Sequence, residues 1–323
     1  MTNSNDPFGQ SPLDGDRTPE GFDTPGDRSA SGASYQLYPQ FEGEPGYQPF
    51  TYTEPDEEMV QSNGQVTPVG AIGFGFSRFF KNFLPWIGWM LITFAVSFAV
   101  SVAIRTPTGQ LIGGSISGIL SVVFACILLT GAVKSVDRVK LPFDEFPKDV
   151  AWLQIIVVSI ISGLIGTFIS VGIFFLLPTT RGFLNKLITL DWDSLDGYAP
   201  DDPAAASKVF ELLGQLPWGG FGLSIIVVVI IGVLLAPLLE YWTYYAADRR
   251  AGIGGSISGG FNDGLKNYAN VLGFEIVAGL ITLVIGAVSF GILLPLVQGP
   301  VMIGRALVYR QMSKGNIPAT VVQ

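Results

Sequence analysis

The chain has 323 residues, 49% of them hydrophobic and 14% charged, with no histidine and one cysteine. A soluble globular domain carries about 25% charged residues, so composition points to a membrane protein and excludes imidazole catalysis, His-ligated metals and an intrachain disulfide. The net charge of −8 is uneven: residues 1–62 hold twelve acids and two arginines, and the remaining 261 residues hold sixteen bases and fourteen acids.

Residues 1–65 are rich in Pro, Gly, Ser, acids and Tyr and show no apolar periodicity. Such a segment cannot bury enough apolar surface to offset its ordering entropy, so a disordered cytoplasmic tail is expected. It has no basic start and no apolar stretch, unlike a signal peptide. Thr18 and Thr24 each precede proline and are candidate phosphorylation sites for a phosphothreonine reader. The alternative is a solubilising tail. The aromatics Tyr35, Tyr38, Phe41, Tyr47, Phe50 and Tyr52 are spaced like weak contacts for a protein partner.

A span needs about 20 apolar residues. Six runs qualify: 86–104, 111–133, 151–177, 221–246, 271–290, and a shorter 292–309 interrupted by Pro295, Gln298 and Pro300. Cys126 lies inside the second run and reads as packing. Fourteen of the eighteen bases fall on the side of the N-terminus, while Arg105, Arg181, Lys186 and Lys208 fall opposite. The positive-inside rule then makes both termini cytoplasmic in the plasma membrane and the span count even. A five-span alternative lays 292–309 on the surface. The fold class expected is an all-α membrane protein: a six-helix bundle over 66–314, an outer loop at 178–220, and a short cytoplasmic tail at 315–323.

The cytoplasmic connections carry helical periodicity. Residues 71–92 and 256–277 form a repeat with six of 22 positions identical, among them Gly75/Gly260, Lys81/Lys266 and Asn82/Asn267. In each, apolar residues recur at helical spacing before a span, as in Ile72, Phe76, Phe80, Phe83 and in Ile257, Phe261, Leu265, Tyr268. A third segment, Phe143, Phe146, Val150 and Leu153, reads the same way. Three amphipathic helices lying at the cytoplasmic interface are therefore expected, beside a belt of Trp86, Trp89, Tyr241, Trp242, Tyr244 and Tyr245.

In the outer loop, Asp202-Pro203 opens a helix with Asp at N-cap and Pro at N1. Its expected apolar face is Val209, Phe210, Leu213 and Leu216, with Trp192 and Trp218 as surface anchors. The acids Asp191, Asp193, Asp196, Asp201 and Asp202 approach a calcium-loop spacing, but Leu195 stands at a ligand position. A solvated acidic loop is the better reading, and no cofactor is expected.

Glu240 and Glu275 are the acids inside the apolar runs. Ionisable residues in spans default to a functional reading. At 1.5 Å per residue, Glu240 lies about 30 Å along the fourth run and Glu275 about 6 Å into the fifth, which puts both at one level on the cytoplasmic side. They are candidates to line a cytoplasm-facing vestibule, or to accept hydrogen bonds from Lys81, Asn82, Lys266 or Asn267. Structural anchoring and a substrate or proton site both remain open.

The Gly-Phe and Lys-Asn pattern before a span, the Asp144-Glu145-Phe146 segment and the ending Pro300 to Arg310 (PVMIGRALVYR) together resemble a superfamily of six-span bacterial membrane proteins of mostly unknown function. It is related to the membrane domain of some glycerophosphodiester phosphodiesterases. The resemblance covers about residues 68–314 and implies the bundle but not the phosphodiesterase activity. No nucleophile constellation, phosphate loop or basic nucleic-acid patch is present, so neither an enzyme nor a nucleic-acid partner is expected. The leading expectation is an envelope adaptor embedded in membrane lipid that recruits a protein partner through its tail. The alternative is a transporter or lipid-handling permease, suggested by the Pro/Gly-broken last run.

Overall fold

A computed structural model describes residues 57–103, 107–195, 198, 202–249 and 251–321. Thr18, Thr24, the tail aromatics, Arg105, Asp196, Asp201 and Arg250 lie outside them. The chain runs β1 (Met59–Gln61), α1 (Pro68–Lys81), α2 (Phe83–Ala103), α3 (Pro107–Asp137), α4 (Trp152–Leu176), α5 (Pro178–Ile188), α6 (Pro203–Gly214), α7 (Trp218–Leu239), α8 (Trp242–Ala247), α9 (Ile253–Lys266), α10 (Tyr268–Val288), α11 (Leu294–Met312) and β2 (Asn316–Pro318). Five segments are long and apolar enough to cross a membrane: Phe83–Val100, Ile116–Asp137, Trp152–Leu176, Trp218–Ala247 and Tyr268–Val288. Their outer surfaces expose Phe94, Phe168, Ile226 and Leu283, as lipid-facing helices must.

Helix α11 differs from these five. It is the expected sixth run, but its side chains from Ile303 to Met312 are buried, Arg305 alone excepted. Lipid would reject Arg305, Arg310 and Gln311; protein encloses them instead. Helices α1, α2, α3, α8 and α10 all pack on it.

The repeat is a structural unit. Each copy is a 14-residue helix, a one-residue break and a 21-residue helix, α1–α2 and α9–α10. The break falls on Asn82 (φ −118°, ψ 30°) and Asn267 (φ −105°, ψ 17°). Each Asn side-chain amide donates back to the carbonyl four residues earlier, Asn82 to Arg78 O at 2.9 Å and Asn267 to Asp263 O at 3.2 Å. This local bond competes with helix continuation, which is why Asn sits at the kink. Burial repeats as well: Ala71/Ser256, Gly75/Gly260 and Phe79/Gly264 face inward, while Ser77/Asn262, Phe80/Leu265 and Lys81/Lys266 face outward.

The inward face of these helices packs on protein. Gly75 lies against α11, where an added Cβ would stand 2.2 Å from Pro300 O, and Gly264 lies against α7, where a Cβ would stand 2.0 Å from Pro237 O. The amphipathic pattern in α1 and α9 thus reports helix packing in addition to any surface role.

Three expectations are corrected. The third amphipathic segment is not a helix. Pro142 and Pro147 bracket it, and Phe143–Glu145 forms a single 3-10 turn. Phe146 is buried edge-on against Trp86 at 5.1 Å, but Phe143 and Leu153 are exposed. The Lys134 ammonium stitches the loop by donating to Glu145 O (2.8 Å) and Lys148 O (2.7 Å). On its surface, the Lys148 hydrogen bonds hold the Asp144 and Glu145 carboxyls below their ordinary range, and those two carboxylates push Lys148 up.

Secondly, the tail boundary moves. Residues 57–65 are ordered: β1 pairs antiparallel with β2, Val60 opposite Ile317, and Glu57 pairs with Arg78. The C-terminal segment is equally part of the fold, with Ile317 and Pro318 buried. Thirdly, Asp202 caps α6 as expected, accepting from Ala204 N at 2.8 Å, and Leu216 turns inward as expected, but Leu212 is buried with it while Phe210 is exposed. The two leucines meet Phe183 and Leu190 in a small separate cluster, to which α5 contributes Phe183. The sequence reading did not anticipate α5. Trp192 and Trp218 are exposed at this end.

Gly75→Ala is expected to destabilise by on the order of 1–3 kcal/mol, because backbone carbonyl cannot yield as a side chain can. Gly73→Ala, where nothing lies within 4 Å, should be neutral. Thermal melts of both variants in detergent check this; equal melting would refute the packing argument.

Candidate functional site

Two arginines on α11, five residues apart, each gather two acids from other helices. Arg305 holds Glu275 of α10 with two parallel bonds, Nη2 to Oε2 at 2.7 Å and Nε to Oε1 at 3.1 Å. Its Nη1 donates to Oε1 of Glu240, the residue capping α7, at 3.0 Å. The Tyr241 hydroxyl adds a bond to Glu275 Oε1 at 3.0 Å. Pro237 interrupts α7 one turn earlier, and the chain turns there into α8. That turn brings Glu240 and Tyr241 toward α11.

Arg310 is fully buried. Its Nη2 donates to Asp137 Oδ2 at the end of α3 and to Asp248 Oδ1 just after α8, both at 2.9 Å. Asp248 also accepts from the Tyr309 hydroxyl at 2.6 Å. Tyrosine rings join the two clasps: Tyr241 meets Tyr244 at 5.9 Å, Tyr244 meets Tyr309 at 6.5 Å and Tyr245 meets Tyr309 at 4.7 Å. Tyr245 in turn donates to Asp263 of α9.

Arg305 thus brings Glu240 and Glu275 together, so both acids do stand at one level. Lys81, Asn82, Lys266 and Asn267 are elsewhere. Asn82 spans to the α3–α4 loop, donating to Val139 O at 2.9 Å and accepting from Leu141 N at 2.7 Å. Asn267 serves its own helix break, Lys266 reaches only Asp263 at 3.6 Å, and Lys81 is exposed. The sequence reading missed Arg305, Arg310, Asp137 and Asp248 as site members. One signal was available: Arg305 is the sole base inside the six apolar runs. A buried carboxylate is stabilised by a cation within reach, which made Arg305 a candidate partner for Glu275.

A guanidinium held in a fork by a carboxylate is a fixed geometry as well as a charge pair. The two acids differ. The Glu275 side chain is 4% exposed and accepts three bonds; that of Glu240 is 42% exposed and accepts one, from Arg305. The arrangement locks α11 to α3, α7, α8 and α10 and offers one carboxylate to the surroundings. Comparison with family models, with curated proteins and with solved structures yields no match.

Removing one partner of a buried pair strands the other's charge, at about 3–5 kcal/mol. Arg310→Met should therefore lower abundance and melting temperature sharply. Glu275→Gln should do so more than Glu240→Gln, since only Glu240 can be rehydrated. Fluorescence-detected size exclusion and thermal melts of the three variants check the order; a Glu240→Gln loss exceeding that of Glu275→Gln would contradict the assignment.

Proposed function

We propose that this chain is a six-span membrane adaptor of the cell envelope, with both termini cytoplasmic, that presents its N-terminal segment to a protein partner from a rigid platform. The observation that carries the reading is the β1–β2 pairing, Met59 opposite Pro318. Strand hydrogen bonds cannot reach across a ~30 Å hydrocarbon core. The pairing therefore supports placing the segments before α1 and after α11 on one side, with an even number of crossings between them. Five apolar segments alone would leave an odd number, and on this reading α11, following α10 after a short turn, supplies the return. The bias of bases assigns that side to the cytoplasm.

The same contacts define the platform. Ser62 Oγ donates to Gln311 O at 3.0 Å, and Thr67 N donates to Gln311 Oε1 at 3.1 Å. Whatever precedes residue 57 is thus delivered from a fixed point on the packed face. Thr18 and Thr24 remain candidate switches within it. The reading assigns no catalytic role. The motif order keeps the relation to six-span membrane domains as part of the proposal. A second reading, a transporter or lipid-handling permease, is favoured by one observation, the half-exposed Glu240 carboxylate beside Arg305.

Topology is tested with single cysteines at Ser207 and Thr320 in a Cys126→Ser background. An impermeant maleimide should label Ser207→Cys, and not Thr320→Cys, on intact cells; external labelling of Thr320→Cys would overturn the six-span arrangement. The adaptor role is tested by crosslinked affinity capture of the full chain and of a chain lacking residues 1–56, which retains β1. Partners should be lost with the truncation while melting temperature is kept. An identical partner set from both chains would reject the reading.

A further inference from the structure

The repeat also duplicates a surface. Lys81 and Lys266 occupy equivalent positions in the last turns of α1 and α9, and both are exposed. The spans that follow begin at Phe83 and Tyr268, so each ammonium stands two residues before apolar helix enters the membrane. Each is flanked by exposed apolar side chains: Phe80, Phe83 and Leu84 beside the first, Phe261 and Leu265 beside the second. The Phe80 and Phe83 rings lie stacked 6.2 Å apart, forming a flat apolar surface next to Lys81.

Many other cations on this side are committed within the protein. Arg305 and Arg310 hold internal acids, Arg78 holds Glu57, Lys134 holds backbone carbonyls and Lys148 holds Asp144 and Glu145. Among the described residues Lys266 makes a single long contact, to Asp263, and its side chain is 74% exposed. An exposed ammonium just before an apolar span, with exposed apolar side chains near it in the chain, matches an anionic headgroup carrying acyl chains.

We propose that Lys81 and Lys266 are twin contact sites for acidic phospholipid in the cytoplasmic leaflet. The phosphate meets the ammonium, and the acyl chains lie along Phe80–Leu84 at one site and along Phe261 and Leu265 at the other. The inference rests on the membrane reading but not on any protein partner, so failure of the capture experiment above leaves it standing.

The test uses the full chain in nanodiscs of phosphatidylcholine with or without phosphatidylglycerol, and native mass spectrometry to measure retained phosphatidylglycerol. The parent should retain it preferentially. Lys81→Gln and Lys266→Gln should each weaken one site about fivefold, the worth of one basic residue near an anionic surface. The double variant should weaken both, and Lys81→Arg/Lys266→Arg should restore them. Lys208→Gln in the outer loop should change nothing. Melting temperatures in phosphatidylcholine alone should be equal throughout. Undiminished retention by the double variant would overturn the proposal. Displacement by free glycerol phosphate would overturn it too, by identifying a soluble-anion site.

Discussion

Arg310 is the interaction on which the bundle depends. A fully buried guanidinium is tolerable only if carboxylates surround it, and these come from 173 and 62 residues earlier in the chain. Holding Asp137 and Asp248 at one point fixes the ends of α3 and α8 against the end of α11. Arg305, five residues earlier in the same helix, does the same for α7 and α10. The least apolar of the six runs thereby becomes the helix on which α1, α2, α3, α8 and α10 pack. Buried ion pairs contribute little net stability against apolar replacements. Their effect here is positional: they define which helix ends meet, and at what level.

The repeat explains how the chain closes. The second copy packs its glycine face on α7 and α8, the helices just before it in sequence. The first copy has no helix before it among the described residues, and it packs instead on α11. The two ends of the fold are thus sewn together by a copy of an interaction that elsewhere is local. The β1–β2 ladder and the Gln311 bonds to Ser62 and Thr67 reinforce the same seam. Stability of this packed end and the placement of residues 57–67 are consequently one property.

Lipid and protein divide the remaining surface simply. Four of the five apolar segments bury few of their residues and leave their large side chains to the bilayer, while Ile116–Asp137 is 44% buried against protein. The core concentrates at the end where α1, α8, α9 and the strands gather. Trp86, Tyr241 and Tyr244, which sequence alone assigned to an interfacial belt, are fully buried there. Aromatic enrichment near span ends arises from packing as readily as from headgroups.

The amino-acid sequence by itself determined what depends on local pattern. The five apolar spans follow from hydropathy over windows of bilayer length. The repeat, its Lys-Asn junction and the Asp202 cap follow from spacing and from short side-chain-to-backbone bonds. Tertiary structure alone decided what depends on residues far apart. An amphipathic stripe records that a helix has an apolar side, not whether lipid or protein covers it, so α1 and α9 read as surface helices. The segment around Phe146 had the same stripe, yet two prolines and the buried Phe146 made it a turn. The partners of Glu240 and Glu275 were guessed among nearby cytoplasmic polar residues, because a single sequence does not state which helices adjoin. Arg305 and Arg310 read only as bases that set the topology, for only burial distinguishes a topological charge from a structural one.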